Sequence, residues 1–446
     1  MNIKIKKGHN ICISGIPGGA VQPAARPQEV GLVPADFQGI KPKLVVKQGD
    51  RVQLGTALFL DKNFPQVHYP APAGGTVKEI VYGERRIIRK IVIAVDETEA
   101  VLSQEPLAVA SASRQQVIDY ILRANLWPLI RQRPFNKTAD PGVTPRSIFV
   151  SGLDTAPLAV DPALALTGRE AAFRTGMAVL KKLSGDALHL TIPAGSQAEI
   201  FKDLPEVTVH SISGPHPAGN VGIQIHHIEP LKPGAVIWTV SAQQVATLGQ
   251  LFLTGRFDPA VVIAVAGPAV TEPGFVTTRI GADLTGLVKD RLNPGAARVI
   301  SGNVLTGRAV DGEDFLGFYH SAVSVLPIDQ RRPFLGWARI GSSRDQYTLT
   351  NAYLKTGKPD FNFSSKRNGA HRAMVPINAW ESVLPMDILP NPLYRSILAQ
   401  DVEEMEKLGI LECDPEDFAL ATFACPSKTE LSAVIRQGLD LMEKEI

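Results

Sequence analysis

Cysteine is scarce in this sequence: Cys12, Cys413 and Cys425 are the only three among 446 residues. Three thiols cannot build a disulfide framework, and alone they fall short of a four-thiolate zinc or iron–sulfur site. Charge of one sign is not in excess either. Lys and Arg number 46 against 44 Asp and Glu, a formal net charge of +2, too balanced for a dedicated nucleic-acid binder. No apolar run reaches the roughly 20 residues needed to span a bilayer. The longest, residues 259–270, is short and rich in β-branched side chains, and reads as a buried strand. The basic start at residues 1–7 has no apolar segment behind it, so no signal peptide is expected. Nucleotide fingerprints (G-x-G-x-x-G after a strand, or a P-loop) are missing, as are common hydrolase and deaminase signatures.

What is present is an ordinary globular composition, 44% hydrophobic and 20% charged, over about three times the ~150 residues of one domain. The expected fold is multidomain α/β. Residues 1–104 hold short strands broken by Gly and Pro, with turns at Gly49-Asp50 and Gly74-Gly75, similar to the barrel-sandwich hybrid of biotinyl and lipoyl domains. Lys62 sits near the place where those domains carry a modified lysine, but the flanking spacing differs, and an ordinary surface lysine is the better reading. Residues 105–255 alternate helices and strands, as in a Rossmann-like sheet without its nucleotide fingerprint. Capping boxes at Ser113/Gln116, Thr167/Glu170 and Ser241/Gln244 mark helix starts. Residues 256–330 resemble a small β-grasp unit of the soluble-ligand-binding type (SLBB-like). An irregular Pro-, Asn- and Arg-rich arm covers 331–392. Residues 393–446 read as helical: one helix from Ser396 to Leu408, one capped by Asp414, and one starting at Ser427.

Candidate chemistry is sparse. His226 and His227 lie in an alternating apolar stretch that reads as a strand, where neighbours point to opposite faces and cannot share a metal. Together with His216 they are assigned structural or interface roles. The loop from Gly214 to Gly222 is rich in glycine, but its prolines remove N–H donors that a phosphate cradle needs, and it reads as a rigid interdomain loop. Cys413 and Cys425, with a helix between them, should lie about 15 Å apart and act as packing thiols. Two segments combine apolar side chains with polar donors, as a pocket for a hydrophobic, carbonyl-bearing ring requires: residues 126–137, with Trp127, Arg131, Phe135 and Lys137, and residues 30–37. Interdomain packing is the competing reading for both. Basic clusters at Arg85-Arg86, Arg89-Lys90, Arg331-Arg332, Lys366-Arg367 and Arg372 read as solvated surface, or as docking points for anionic headgroups or acidic partner loops.

Several blocks then assemble in order: the opening Ile-Lys-Ile-Lys-Lys-Gly8, Ser213-Gly-Pro-His-Pro-Ala-Gly-Asn-Val-Gly222, His226-His-Ile-Glu-Pro230, Ala266-Gly-Pro and Ile300-Ser-Gly-Asn-Val-Leu-Thr-Gly307. With these the chain resembles the A-type subunits of the bacterial sodium-translocating NADH:quinone oxidoreductases (Na+-NQR) over essentially its whole length. The resemblance implies a protein bound peripherally on the cytoplasmic side of the inner membrane, with five partner subunits, including an integral membrane one. The complex would pass electrons from NADH to ubiquinone and export sodium. It further implies that FAD, FMN, riboflavin and iron–sulfur centres reside in the partners and none in this chain. The domain order also resembles the flavin subunit of respiratory complex I, here without glycine-rich flavin loops or cysteine-rich cluster motifs. Ubiquinone is then the implied ligand for Trp127, Arg131, Phe135 and Lys137. Two alternatives stay open: a flavin- or NADH-binding electron-transfer subunit, and a purely structural adaptor.

Overall fold

Alternating β-branched and aromatic residues in the first hundred positions form two small antiparallel sheets packed face to face in a computed structural model that describes residues 1–310, 314–329, 331, 334–335, 347, 349 and 360–445. One sheet orders Glu29–Leu32, Ile88–Val95, Gly75–Tyr82 and Arg51–Val52; the other orders Pro42–Leu44, Ala57–Asp61 and His68–Pro70. Leu32, Phe59, Tyr69, Val77 and Ile91 fill the space between them. The two glycine turns are not tight hairpins. Each carries the chain from one sheet to the other, because strands this short leave a sandwich at their ends. Gly75 has no room for a side chain: a Cβ there would lie 2.0 Å from the Ala94 carbonyl oxygen.

The seven-stranded sheet runs Asn2–Lys4, Thr208–Ser213, Ala187–Pro193, Ser147–Ser151, Ile237–Ser241, Arg131–Arg133, Lys137–Thr138. Its first five strands are parallel, and the four from Ser147 onward have the 3-2-1-4 order of a doubly wound fold. The chain's first strand thus extends the edge of this sheet, far in sequence from its neighbours. Ile148 and Val150 face the helices Glu170–Leu183 and Ala242–Thr254, whereas Phe149 faces the helix Val221–Ile228. Close approach of the first two helices depends on glycine; a Cβ on Gly249 would fall 1.7 Å from the Ala172 carbonyl oxygen.

A mixed six-stranded sheet carries the β-grasp unit. Ala260–Ala266 lies between Ala322–Pro327 and Gly274–Arg279, and Gly18–Pro23 adds itself at the far edge. The C-terminal helices pack around Leu393, Ile397, Met405, Ile435 and Leu439. Of the arm expected over 331–392, residues 360–389 contain no helix or strand, and 390–392 already belong to the helix Pro390–Ala399.

Ser113 and Ser241 are N-caps with complete capping boxes, and Gly255 ends its helix at φ 69°. Other helix boundaries differ from expectation. His226 and His227 belong to a helix, not a strand: it is buried on two sides, with Val221 and Ile225 against the sheet and Ile223 against the C-terminal core, so its apolar pattern has no polar face. The helix at Glu170 lacks a threonine cap; instead the Glu170 carboxylate accepts from the Gly168 N–H at 2.9 Å. The helix expected at Ser396–Leu408 is two, Pro390–Ala399 and Val402–Lys407. Gln400 turns left-handed between them and Asp401 caps the second. Asp414 opens a turn rather than a helix, and the next helix is only Ala419–Ala424. The last helix, Leu431–Glu445, starts without Ser427, whose hydroxyl donates to the Ala373 carbonyl instead.

Candidate functional site

The two pocket-like segments of the sequence meet on one face. Arg131–Arg133 and Lys137–Thr138 form an antiparallel hairpin at the edge of the large sheet, with Arg131 opposite Thr138. At its tip Phe135 (φ 77°) and Asn136 (φ 53°) hold left-handed backbone, a costly conformation for an aromatic residue. Arg436 of the last helix fixes that tip, donating twice to the Phe135 carbonyl at 3.0 and 3.1 Å. The same helix reaches the hairpin and the residue just after the 30–37 segment: Glu443 pairs with Lys137, and Asp440 accepts from Gln38 at 3.2 Å.

Tyr319, from the β-grasp unit, lies where they converge. Its hydroxyl donates to the Pro128 carbonyl at 2.6 Å, Phe37 packs edge-on at 5.6 Å, and the Arg131 guanidinium lies 4.8 Å from its ring centre. Asp36 accepts from the Phe318 N–H at 3.0 Å, and Arg308 pairs with Asp314 beside it. Burial pushes Asp36 up to about 6, against the opposing pull of the Phe318 N–H and Arg308. His320, bonded to the Ser301 hydroxyl at 2.8 Å, is driven down to about 4 by burial and by the Arg308 and Arg131 charges. Four buried polar atoms around this junction make no hydrogen bond: Nε of Arg131, Arg308 and Arg436, and Oδ1 of Asn136.

Of the sequence candidates, Arg131 and Lys137 are partly accessible and Phe135 is nearly enclosed, its ring 5.5 Å from the Lys137 ammonium. Trp127 is fully buried; its indole N–H donates to the Ala139 carbonyl at 2.7 Å and its ring meets Trp238 edge-on. Tyr319, Arg308 and Arg436 are missing from the sequence reading. Arg436 lies 301 residues from Phe135, and the one local signal is the polar stripe Arg436, Asp440, Glu443 on the last helix.

A second charged cluster lies deeper. Arg133, 3% exposed, meets Asp414 at 3.0 Å and Glu416 at 2.7 Å. Asp417 lies in the same cluster with neither carboxylate oxygen hydrogen-bonded, and burial raises its pKa well above the carboxylate range despite Arg133. It occupies the space beside Gly222, where a Cβ would be 2.0 Å from its carboxylate.

The glycine-rich loop does not fit a nucleotide phosphate. His216 N–H donates to Asn10, Gly219 N–H to the Thr155 hydroxyl, and Ala218 and Asn220 N–H groups close turns within the loop. At the carboxyl ends of the adjacent strands, Gln224 bonds both Ser151 and Thr191. His226 and His227 face the C-terminal part, bonding Glu412 and the Pro385 carbonyl. The three cysteines are unpaired, and among the described residues no group of three or more His, Cys, Asp or Glu could hold a metal ion. Arg332 of the basic clusters lies outside the described residues.

Family models match three stretches: the NqrA N-terminal barrel-sandwich hybrid domain over residues 3–96, the NqrA second alpha/beta domain over 112–257, and the NQRA C-terminal domain (SLBB) over 262–312. The A-type subunit of the Na(+)-translocating NADH-quinone reductase from Serratia proteamaculans is 41% identical over 99% of this chain and 100% of its own length. The chain belongs to the NqrA family of Na(+)-translocating NADH-quinone reductase subunits. Family members from Marinomonas, at 40% identity over 99% of both chains, and from Pseudomonas aeruginosa, at 40% over 99% of this chain and 100% of the relative, agree. Among solved structures, the NAD+-reducing [NiFe]-hydrogenase in its H2-reduced state aligns over 50% of this chain and 48% of its own, at 11% identity and a TM-score of 0.35. In this member of the family no helix among the described residues is long and apolar enough to cross a membrane.

Proposed function

We propose that this chain is the peripheral, cofactor-free component of a sodium-pumping NADH:quinone reductase, docked on the cytoplasmic side of the inner membrane. The complex would hold its flavins (FAD, FMN and riboflavin) and iron–sulfur centres in five partner subunits. This chain would present a ubiquinone-facing surface at the Tyr319 junction. The domain division that accompanies this proposal is 1–104, 105–255, 256–330, the arm 331–392 and the helical 393–446. The observation that carries the quinone assignment is the unbonded, buried Arg131 Nε beside Tyr319, where both pocket-like segments converge. A buried donor without a partner costs about 1–3 kcal/mol, and a quinone carbonyl is an acceptor that relieves it. Arg131 and Lys137 are the ligand-facing donors; Phe135 offers an apolar wall near them, and Trp127 supports the hairpin from beneath.

Phosphate-based cofactors are disfavoured here because the loop amides and Gln224 are already bonded within the chain. The purified chain should therefore be colourless. A flavin or iron–sulfur absorption band retained through purification would overturn the cofactor-free reading. The quinone assignment is tested in the assembled complex by titrating a short-chain ubiquinone: Arg131→Met should raise its KM about tenfold, with NADH oxidation by an artificial acceptor unchanged. An unchanged KM would remove this chain from the quinone site. Deleting residues 427–446, an obvious test of a purely structural adaptor, does not separate the readings, because the last helix holds the hairpin tip and Gln38, next to the 30–37 segment.

A further inference from the structure

The segment 361–378 contains Lys366, Arg367 and Arg372 and no acidic residue. It runs over the surface as an exposed ribbon from Arg367 to Asn378, with Met374 the one partly covered residue. The ribbon is anchored: the Arg372 N–H donates to the Ser427 carbonyl at 3.0 Å, and the Ser427 hydroxyl donates back to Ala373 at 2.9 Å. Arg367 reaches the Lys428 carbonyl at 3.1 Å, bringing a fourth cation alongside. These positive charges are close enough to act on one another. Burial lowers the Lys428 pKa, and Arg367 and Arg372 lower it further. Two acidic groups face them: Glu430, 3.3 Å from Arg367, just before the terminal helix, and Asp329, whose carboxyl is held down by Arg331 and, in part, by Lys366.

Large apolar side chains stand out of the same ribbon. Val375 is 56% and Ile377 58% exposed, on either side of Pro376. Proline holds its predecessor in extended backbone, and side chains two apart in extended chain point the same way. Two aliphatic side chains project together beside four cations, on a ribbon tied down at Arg372 and Ala373.

We infer that the ribbon 366–378, with Lys428, is a docking surface for an anionic lipid bilayer: the cations sit among acidic headgroups while Val375 and Ile377 enter the apolar boundary. This rests on the reading of the chain as a peripheral component of a membrane complex. The charge complementarity selects the partner. Four cations against two acidic groups, beside two exposed aliphatic side chains, complement a surface of acidic headgroups over an apolar interior.

The full chain is tested by flotation with vesicles of phosphatidylethanolamine and phosphatidylglycerol at 3:1, and with pure phosphatidylcholine. It should bind the first and not the second, and 0.5 M KCl should release it because salt screens the attraction. Each cation near an anionic surface contributes about fivefold in affinity, so Arg367→Gln with Arg372→Gln should weaken binding about 25-fold. Val375→Ser with Ile377→Ser should weaken it further and leave the salt dependence intact. Equal binding to both vesicles, or binding unchanged in the four-site variant, overturns the proposal. If the variants bind vesicles normally but fail to join the complex, the ribbon is a protein interface and the lipid assignment is wrong. Failure of the peripheral reading itself looks different: the wild-type chain would not co-purify with the membrane complex at all, whatever the vesicles show. Circular dichroism spectra matching wild type establish that the variants are folded.

Discussion

The Tyr319 junction and the Arg133 cluster are both charged, both lie between parts of the chain distant in sequence, and both touch the same hairpin. They differ in enclosure and in charge balance. Around Arg133 one cation faces Asp414, Glu416 and Asp417, and all but the partly exposed Glu416 are enclosed. Around Tyr319 the charges are roughly paired and the site is partly accessible, while buried polar atoms without a hydrogen bond occur at both places, Arg131 Nε at one and Arg133 Nε and the Asp417 carboxylate at the other. The first arrangement is enclosed; the second is open enough to admit the ligand we propose for it. Arg131 and Arg133, two residues apart on one strand, therefore act differently, because one end of that strand is partly open and the other is enclosed.

The largest effect should come from the enclosed cluster. Arg133→Met removes the cation and strands buried carboxylates, which costs about 3–5 kcal/mol, so thermal unfolding should move down by many degrees. Arg131→Met, two residues away, should leave the melting temperature nearly unchanged. If both variants melt alike, the contrast between the sites fails.

Next in size is Gly222→Ala. The added methyl would meet the Asp417 carboxylate at 2.0 Å, and backbone or carboxylate must shift, an overpacking loss of about 1–3 kcal/mol. Combining it with Asp417→Ala should recover most of the loss, read as coupling in a double-mutant cycle of melting temperatures. Additive losses would mean that Asp417 does not occupy that space in solution.

How far the sequence discloses these two sites depends on the range of the interactions. The barrel-sandwich, α/β and β-grasp layers follow from local patterns: strand alternation near Val45 and Val77, capping boxes at Ser113 and Ser241, and the apolar run that forms Ala260–Ala266. Within the proposed ligand face, residues 30–37 and 126–137 are recognisable because each mixes apolar bulk with donors over a few positions. Their convergence is not recognisable, since it depends on Tyr319 and on Arg436, which belong to other layers. The Arg133 cluster is invisible for the same reason, and Asp414 instead looks like a helix cap. The helix at His226 resembles a strand because burial on two faces erases the one-sided period that identifies a helix. The long helix expected from Ser396 is broken by backbone geometry at Gln400, which no apolar spacing reports.

The smallest effect is a pH slope at the junction, and it sharpens the idea that its charges are balanced. Asp36 is held at about 6, above the ordinary carboxylate value, so between about pH 4 and 6 the folded chain binds a proton that the unfolded chain does not. Its contribution is greatest in acid and declines as pH rises through that window. His320, held at about 4, behaves oppositely: its neutral buried form contributes fully above about pH 6.5, and that is lost as pH falls toward 4. Arg308, Arg131, Asp314 and Tyr319 are the charged and titratable groups around the pair. The two slopes nearly cancel in the wild type. Asp36→Asn keeps an oxygen for the Phe318 N–H but removes one slope, so this variant should lose about 1–2 kcal/mol relative to wild type between about pH 6.5 and 4.5. His320→Gln should shift the other way, gaining relative stability in acid. Parallel denaturant midpoints for all three proteins across this range would show that neither group titrates differently on folding, and the balance assigned to the Tyr319 junction would be lost with it.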